Sequence, residues 1–176
     1  MGSQVRGFTL LELLITITVA GILLGLAVPA TQVLLANNRT VAATNATLGV
    51  LHNARAEAIR QNQRVWISPG GSDEEGYSWQ KGVAMSAEVD NQASDDILRR
   101  TGTIDERLVV TVRNANATPR AFGFSPGGYL LENLAGPVFV FCNSVQPQNS
   151  REIHINAGGQ IRMKTPEPEL TDCGGA

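Results

Sequence analysis

Aromatic residues make up only 5% of this 176-residue chain, and charged residues 17%. Histidine and cysteine occur twice each, as His52, His154, Cys142 and Cys173. Each scarcity closes off a class of function. Two cysteines cannot build a four-ligand zinc site on their own. Two histidines leave little material for a catalytic or metal constellation. Lys and Arg number 14 against 16 Asp and Glu, a net charge of -2, so the chain is not a globally basic nucleic-acid binder. A local basic patch remains open. What the chain has in quantity is apolar: 43% of it is hydrophobic, which supports a folded core and excludes wholesale disorder. The length fits one domain with an appendage.

The apolar residues are concentrated at one end. Phe8 to Val28 contains a single charge, Glu12, and follows a short polar stretch whose one cation is Arg6. Twenty-one residues of helix span about 32 Å, enough to cross a bilayer core. One reading is a plain transmembrane anchor with Arg6 on the cytoplasmic side. A second is a secretory signal cut after Ala30, since Val28-Pro29-Ala30 loosely fits a small-residue cleavage site. Both leave Glu12 unexplained, because an acid at mid-membrane costs about 2.5–3.5 kcal/mol on insertion scales.

Gly7-Phe8-Thr9-Leu10-Leu11-Glu12 resembles the processing motif of type IV prepilins. The resemblance implies cleavage after Gly7 by a membrane-bound prepilin peptidase, N-methylation of the new terminus Phe8, and pairing of Glu12 with the amine of a neighbouring subunit. Opposite charges in a low-dielectric medium attract strongly, and neither is stable there alone. Pro29 stands where pilins commonly have a helix-bending proline. Localisation follows from the same resemblance: a single-pass protein of the bacterial inner membrane with a periplasmic head, later assembled into a pilus at the cell surface.

Past Pro29 the helical period continues. Leu34, Val41, Leu48, Leu51, Ala58 and Ile59 form an apolar stripe that ends near Arg60. The spacing predicts one helix of about 80 Å, bent at Pro29, whose second half must be covered by a domain. The period then changes to two. Val65–Ser68, Tyr77–Met85, Leu108–Arg113, Arg120–Phe124, Val138–Cys142, Glu152–Ile155 and Gln160–Met163 read as strands. Glu88–Asp96 reads as a polar excursion. Ser-Pro-Gly-Gly occurs at Ser68–Gly71 and at Ser125–Gly128, each time with Pro and Gly placed for a type II turn. The organisation is a leader at 1–7, a membrane and polymerisation half-helix at 8–29, an amphipathic half-helix at 30–62, and a β-rich head at 63–176.

Ala54-Arg55-Ala56-Glu57-Ala58-Ile59 with Gln63-Arg64-Val65 resembles the FimT/FimU/GspH group of minor pilins and pseudopilins. Trp79 with Gly82, the Asp95–Arg99 run and the late glycine-rich strand pair fit the same group. The resemblance implies an α+β pilin fold, a long helix packed on two small antiparallel sheets. It implies a structural role and no enzymatic one. The partners it implies are the peptidase, the inner membrane, and other minor pilins and the major pilin met through the first helix. Three jobs remain open within the group: a minor pilin that primes assembly at or near the tip, a DNA-binding minor pilin of natural transformation, and an H-type pseudopilin of type II secretion.

Cys142 and Cys173, in a periplasmic head, would form a disulfide closing a 31-residue loop and tying down the tail; such a bond contributes about 3–4 kcal/mol in the chain-entropy model. The bland alternative is two free thiols. Gly123-Phe124-Ser125-Pro126-Gly127 matches the nucleophile-elbow pattern, but no helical period follows it, so a turn is expected. His154 alternates with Ile153 and Ile155 and is expected to face solvent, and His52 lies beside Leu51 on the helix; no metal site and no cofactor are expected. In Gly158–Lys164 alternation sends Ile161 and Met163 inward and Gln160, Arg162 and Lys164 outward. DNA-binding FimT proteins have a Gly-Arg-x-Arg pattern at the similar place, with Gln160 here replacing the first arginine. Arg162, Lys164 and Arg151 are therefore candidates for weak, non-specific DNA contact, against the alternative of a solvated strand face.

Overall fold

Thr9 starts the helix. Its Oγ1 accepts from the Glu12 N–H at 3.2 Å and its carbonyl from the Leu13 N–H at 3.2 Å. A threonine followed three residues later by glutamate is the sequence form of a capping box. The computed structural model describes residues 8–71, 78–89, 92–113, 121–131 and 136–165, without the side chains of 29–30, 88–89 and 92–96. The helix, α1, runs Leu10–Gln61 and is helical through Pro29. The chain divides into two compact units, one up to Leu35 and one from Ala36 onward.

In the first unit the large apolar side chains from Leu10 to Val28 are all exposed, and the helix is long and apolar enough to cross a membrane. Its threonines are matched internally. The Thr16 and Thr18 hydroxyls donate to the Leu13 and Leu14 carbonyls, both at 2.8 Å. A hydrocarbon surround requires that kind of internal satisfaction.

In the second unit, α1 from Ala36 packs against two antiparallel sheets. Val65–Gly70 is β1, Ser78–Val89 β2, Gln92–Arg100 β3, Leu108–Arg113 β4, Phe122–Phe124 β5, Val138–Asn143 β6, Arg151–Ile155 β7 and Ile161–Lys164 β8. The first sheet has the order β3-β2-β1-β5 and the second β4-β6-β7-β8. The α+β pilin architecture expected from the sequence is the one observed.

The buried face of α1 differs from the apolar stripe read in the sequence. Leu51 and Ala58 are buried, but Leu34, Val41 and Ile59 are 59%, 45% and 52% exposed. Thr40, Thr44, Thr47, Val50 and Ala54 take their place in the interior. Threonine can be buried here because helix carbonyls accept its hydroxyl: Thr40 donates to Ala36 O at 3.1 Å and Thr44 to Thr40 O at 2.7 Å. Ala54 and Ala58, fully buried, let the helix backbone approach the sheets closely. The helix ends at Asn62, whose φ of 54° is left-handed, and the Gln63 N–H donates back to Ala58 O at 3.2 Å. Asparagine is the usual substitute for glycine in this motif. In the last turn Glu57 accepts from Arg60 Nε at 2.9 Å and from Gln61 Nε2. The Arg60 guanidinium, with Gln61, holds the Glu57 carboxyl below its ordinary pKa.

Aromatics join the sheets. Trp79 of β2 meets Phe139 of β6 edge-on at 5.2 Å, and Phe122 of β5 lies 6.0 Å from Phe139. Gln80 adds a polar link. Its Nε2 donates to Leu108 O at 2.6 Å and its Oε1 accepts from the Val110 N–H at 3.0 Å, so one side chain extends the first sheet onto β4.

Two further expectations fail. The polar excursion Glu88–Asp96 is mostly strand, the end of β2 and the start of β3. β3 is an edge strand with register shifts against β2, and edges tolerate polar, charged residues. The two Ser-Pro-Gly-Gly segments are also not alike. The first continues β1 to Gly70 with a bulge at Pro69/Gly70, and does not turn the chain. The second is a turn closed by the Gly128 N–H donating to Ser125 O at 2.8 Å. Its left-handed glycine is Gly128, φ 76°, at the fourth position, and Gly127 has no positive φ. Ser, Pro and Gly at positions one, two and four are the signature of a type I turn, not type II.

Candidate functional site

At the N-terminus the site is a short row of residues leading into α1. Gly7 lies outside the described residues. Phe8 is 82% exposed, Glu12 is exposed in the first helical turn, and the Pro29 side chain lies outside those described. The sequence reading missed the local task of Glu12. At the third helical position it sits where a carboxylate favours the positive end of the helix dipole, and its N–H is capped by Thr9. The signal, Thr-x-x-Glu, was present in the sequence.

A second constellation lies where α1 meets two turns. Arg55 Nε donates to Gly128 O at 2.8 Å. Gly159, φ 72°, closes the β7–β8 hairpin by donating to Asn156 O at 2.8 Å. A Cβ on Gly159 would come 1.9 Å from Gly128 O. Thus Arg55 fixes the Ser125–Gly128 turn, and the two left-handed glycines press together beneath it. Ser125 is spent within that turn: its Oγ donates to Tyr129 O at 3.0 Å and accepts from the Tyr129 N–H at 3.3 Å. The next residues form turns and an isolated bridge, not the helix a nucleophile elbow needs.

A third polar cluster holds the β6–β7 loop against α1. Asn143 Nδ2 and Asn149 Nδ2 donate to Asn37 Oδ1 at 2.9 and 3.0 Å, and Asn143 Oδ1 accepts from the Val145 and Gln146 N–H groups. Arg39 reaches Asp105 at 2.8 Å across the same helix. These side chains saturate one another, which marks them as structural.

Cys142 ends the apolar part of β6, is 2% exposed, and is not a free thiol. Cys173 lies outside the described residues.

The basic candidates divide by face. On edge strand β8, Arg162 and Lys164 are both exposed and stand opposite His154 and Glu152 of β7. Alternation puts these four residues on one face. Arg151 pairs with Phe141 and so belongs to the other face, where its Nη1 donates to Ser150 O at 3.1 Å. The structure does not bring Arg151 together with Arg162 and Lys164. Met163, expected inside, is 50% exposed, because β8 lies at the sheet edge where the core runs out. His154 is half-buried, not free in solvent; its Nε2 lies 2.7 Å from Glu152 Oε2, and Arg113 Nη2 donates to the other oxygen of that carboxylate at 3.1 Å. His52 is exposed on α1. Among the described residues no three His, Cys, Asp or Glu groups are disposed to hold a metal ion.

Comparison with curated proteins returns no significant match. Among solved structures, the chain is similar to the type IV minor pilin FimU of Pseudomonas aeruginosa, with TM-score 0.59 and 20% identity over 72% of this chain and 89% of that one. It is also similar to the minor pseudopilin EpsH of the Type 2 Secretion System of Vibrio cholerae, with TM-score 0.50 and 13% identity over 72% of this chain and 95% of that one. At such identities the likeness concerns the fold. Sequence families carry the assignment further. The prokaryotic N-terminal methylation motif matches residues 2–28, and the family of Type II transport protein GspH matches residues 43–159. With its apolar helix ahead of a two-sheet head, the chain belongs to the GspH family of minor pilins and pseudopilins, which are structural proteins and not enzymes.

Proposed function

We propose that this chain is a minor type IV pilin of the FimT/FimU kind. Prepilin peptidase cuts it between Gly7 and Phe8, and it joins a pilus at or near the tip to prime assembly. The observation that carries this reading is the coupling in one chain of a methylation motif at residues 2–28 to a GspH-type head at 43–159. The cut exposes the amine of Phe8, and Glu12 supplies an anion for the amine of a neighbouring subunit in the helical bundle. We further propose a Cys142–Cys173 disulfide, in keeping with the pilus branch of the group, where late cysteine pairs are more typical than in secretion pseudopilins.

Mass spectrometry of the membrane-extracted protein tests the first step. The expected N-terminus is Phe8, methylated; a terminus at Thr31 overturns the pilin reading in favour of a secretory signal. Affinity capture of the intact membrane complex then separates the two assemblies. Recovery of the major pilin supports the pilus, and recovery of the major pseudopilin instead supports the type II secretion reading.

DNA binding is the second reading, and the exposed pair Arg162 and Lys164 on one face of β8 favours it. Two cations on one strand face, about 7 Å apart by the two-residue rise, can meet one phosphate backbone. Such contacts hold a strand without reading its bases.

A further inference from the structure

Four strands stand at sheet edges, β3 and β5 in the first sheet and β4 and β8 in the second. Two of these edges are closed. Phe124 of β5 bridges to Leu130, and the Leu131 N–H donates to Gly123 O at 2.9 Å. β4 is met by Gln80, which bonds to Leu108 O and to the Val110 N–H. β3 and β8 have no strand beyond them among the described residues. Such an edge is a row of N–H and C=O groups open to another strand.

The two open edges are not alike. β8 exposes one large apolar side chain, Met163, and its Arg162 already donates to Gln160 Oε1 at 3.2 Å. The end of β3 offers more. Ile97 and Leu98 are each 43% exposed. Arg99 and Arg100 follow them, are exposed, and join no ion pair among the described residues, whereas Arg39, Arg60 and Arg113 each hold a carboxylate. The backbone is turned outward as well. The Thr101 N–H donates to Val83 O at 2.9 Å, so by alternation the N–H and C=O of Arg100, opposite Ala84, point away from β2. Arg99 pairs with Met85 and Ile97 with Ser86, which leaves Leu98 as a bulged residue without a partner on β2.

We propose that residues 97–101 form a docking edge for an extended segment of another fibre subunit, acidic and aliphatic in character, which joins the first sheet as a strand beside β3. The backbone supplies the pairing, Ile97 and Leu98 the apolar contact, and Arg99 and Arg100 the choice of partner. Charges on an edge discourage indiscriminate pairing. Two free cations side by side admit a segment with carboxylates and repel a basic one. A nucleic acid would answer the arginines alone and leave the aliphatic pair and the strand edge unused. That the partner is a fibre subunit rests on the assembly reading above.

The test is photocrosslinking in cells with the full chain carrying Leu98→p-benzoylphenylalanine. Adducts are recovered from the membrane complex and the sheared fibre fraction, and the crosslinked peptide is read by mass spectrometry. The expected adduct is a segment of another pilus or pseudopilus subunit that contains several Asp or Glu residues. Adding Arg99→Glu and Arg100→Glu should lower its yield about fivefold or more, because like charges then face each other. Arg100→Pro removes the outward N–H without taking a bond from β2, and should lower the yield about fivefold relative to Arg100→Ala, which keeps that N–H. Adducts to DNA, to lipid or to this chain itself overturn the proposal, as does a yield indifferent to all of these substitutions. A chain with methylated Phe8 that enters the fibre and gives no adduct rejects the β3 edge alone. A chain absent from every fibre complex rejects the assembly reading and the edge with it.

Discussion

Glu12 has two separable tasks. It stands in the first turn of α1 with its N–H capped by Thr9 Oγ1, and it is an anion in an apolar segment. Alanine keeps the capped N–H but removes the carboxylate's place at the helix N-terminus and its charge together, so Glu12→Ala alone does not say which matters. Glu12→Gln keeps a side chain that can serve the capping box and removes the charge. Thr9→Ala keeps the charge and costs about 0.5–2 kcal/mol of helix capping. If the charge meets a neighbouring amine, Glu12→Gln should insert in the membrane at normal level yet be depleted several-fold from the sheared fibre fraction, while Thr9→Ala is retained. Immunoblots of the two fractions measure this, and equal retention of both variants removes the proposed pairing. Gly159 makes a simpler case. Its left-handed backbone and its contact with Gly128 leave no room for a methyl group. Gly159→Ala should lower stability by about 2 kcal/mol or more, read as a fall in Tm, since the strained φ alone costs about 1–3 kcal/mol. The sequence showed a glycine pair at 158–159, but not that the second would press on a turn thirty residues away.

Elements were legible where one physical rule controlled them. β4 and β6 matched the strands read in the sequence to within a residue because both alternate or run apolar with β-branched and aromatic residues. β3 was hidden because Ser94, Asp95 and Asp96 carry no alternating apolar signal in the sequence, and it is backbone pairing with β2 that makes the edge strand. The face of α1 was misplaced for a different reason. Counting only apolar residues passed over Thr40, Thr44 and Thr47; the burial of Thr40 and Thr44 rests on helix carbonyls that no composition reveals. The observed face has a direct consequence. Ala54 is fully buried between α1 and the sheets, and a larger side chain there must push them apart. Ala54→Leu should cost about 1–3 kcal/mol by overpacking, although leucine is nearly as good a helix former as alanine. On the exposed side, Ala56→Leu should change stability by under about 0.5 kcal/mol. Thermal unfolding of the two variants measures the contrast, and equal effects would mean that this side of α1 is not the packed one.

Across the whole molecule, the processing motif and the two-part plan were readable because each is local in sequence, whereas the company kept by the basic residues depended on strand register. Arg151 joined Arg162 and Lys164 as a nearby basic residue without its face being known; pairing with Phe141 puts it on the other face, leaving Arg162 and Lys164 as the exposed pair on β8. A chain of net charge -2 with so few cations in one place can bind polyanions only weakly. With two or three phosphate contacts, log affinity should fall against log salt with a slope of about -2 to -3, and Kd at physiological salt should be no tighter than about 10⁻⁶ M. Gln160 offers the sharpest probe. Its Oε1 accepts from Arg162 Nη2 at 3.2 Å and from Asn156 Nδ2 at 3.2 Å, so it engages the very guanidinium a phosphate would need. Gln160→Arg removes that acceptor, frees Arg162 and adds a cation. The full chain carrying it should bind duplex DNA more tightly at low salt and show a slope steeper by about one, while Arg162→Ala should weaken binding equally for every sequence tried. Fluorescence anisotropy titrations across a salt series measure both, and if neither substitution moves affinity, β8 presents a solvated face and the chain works through assembly alone.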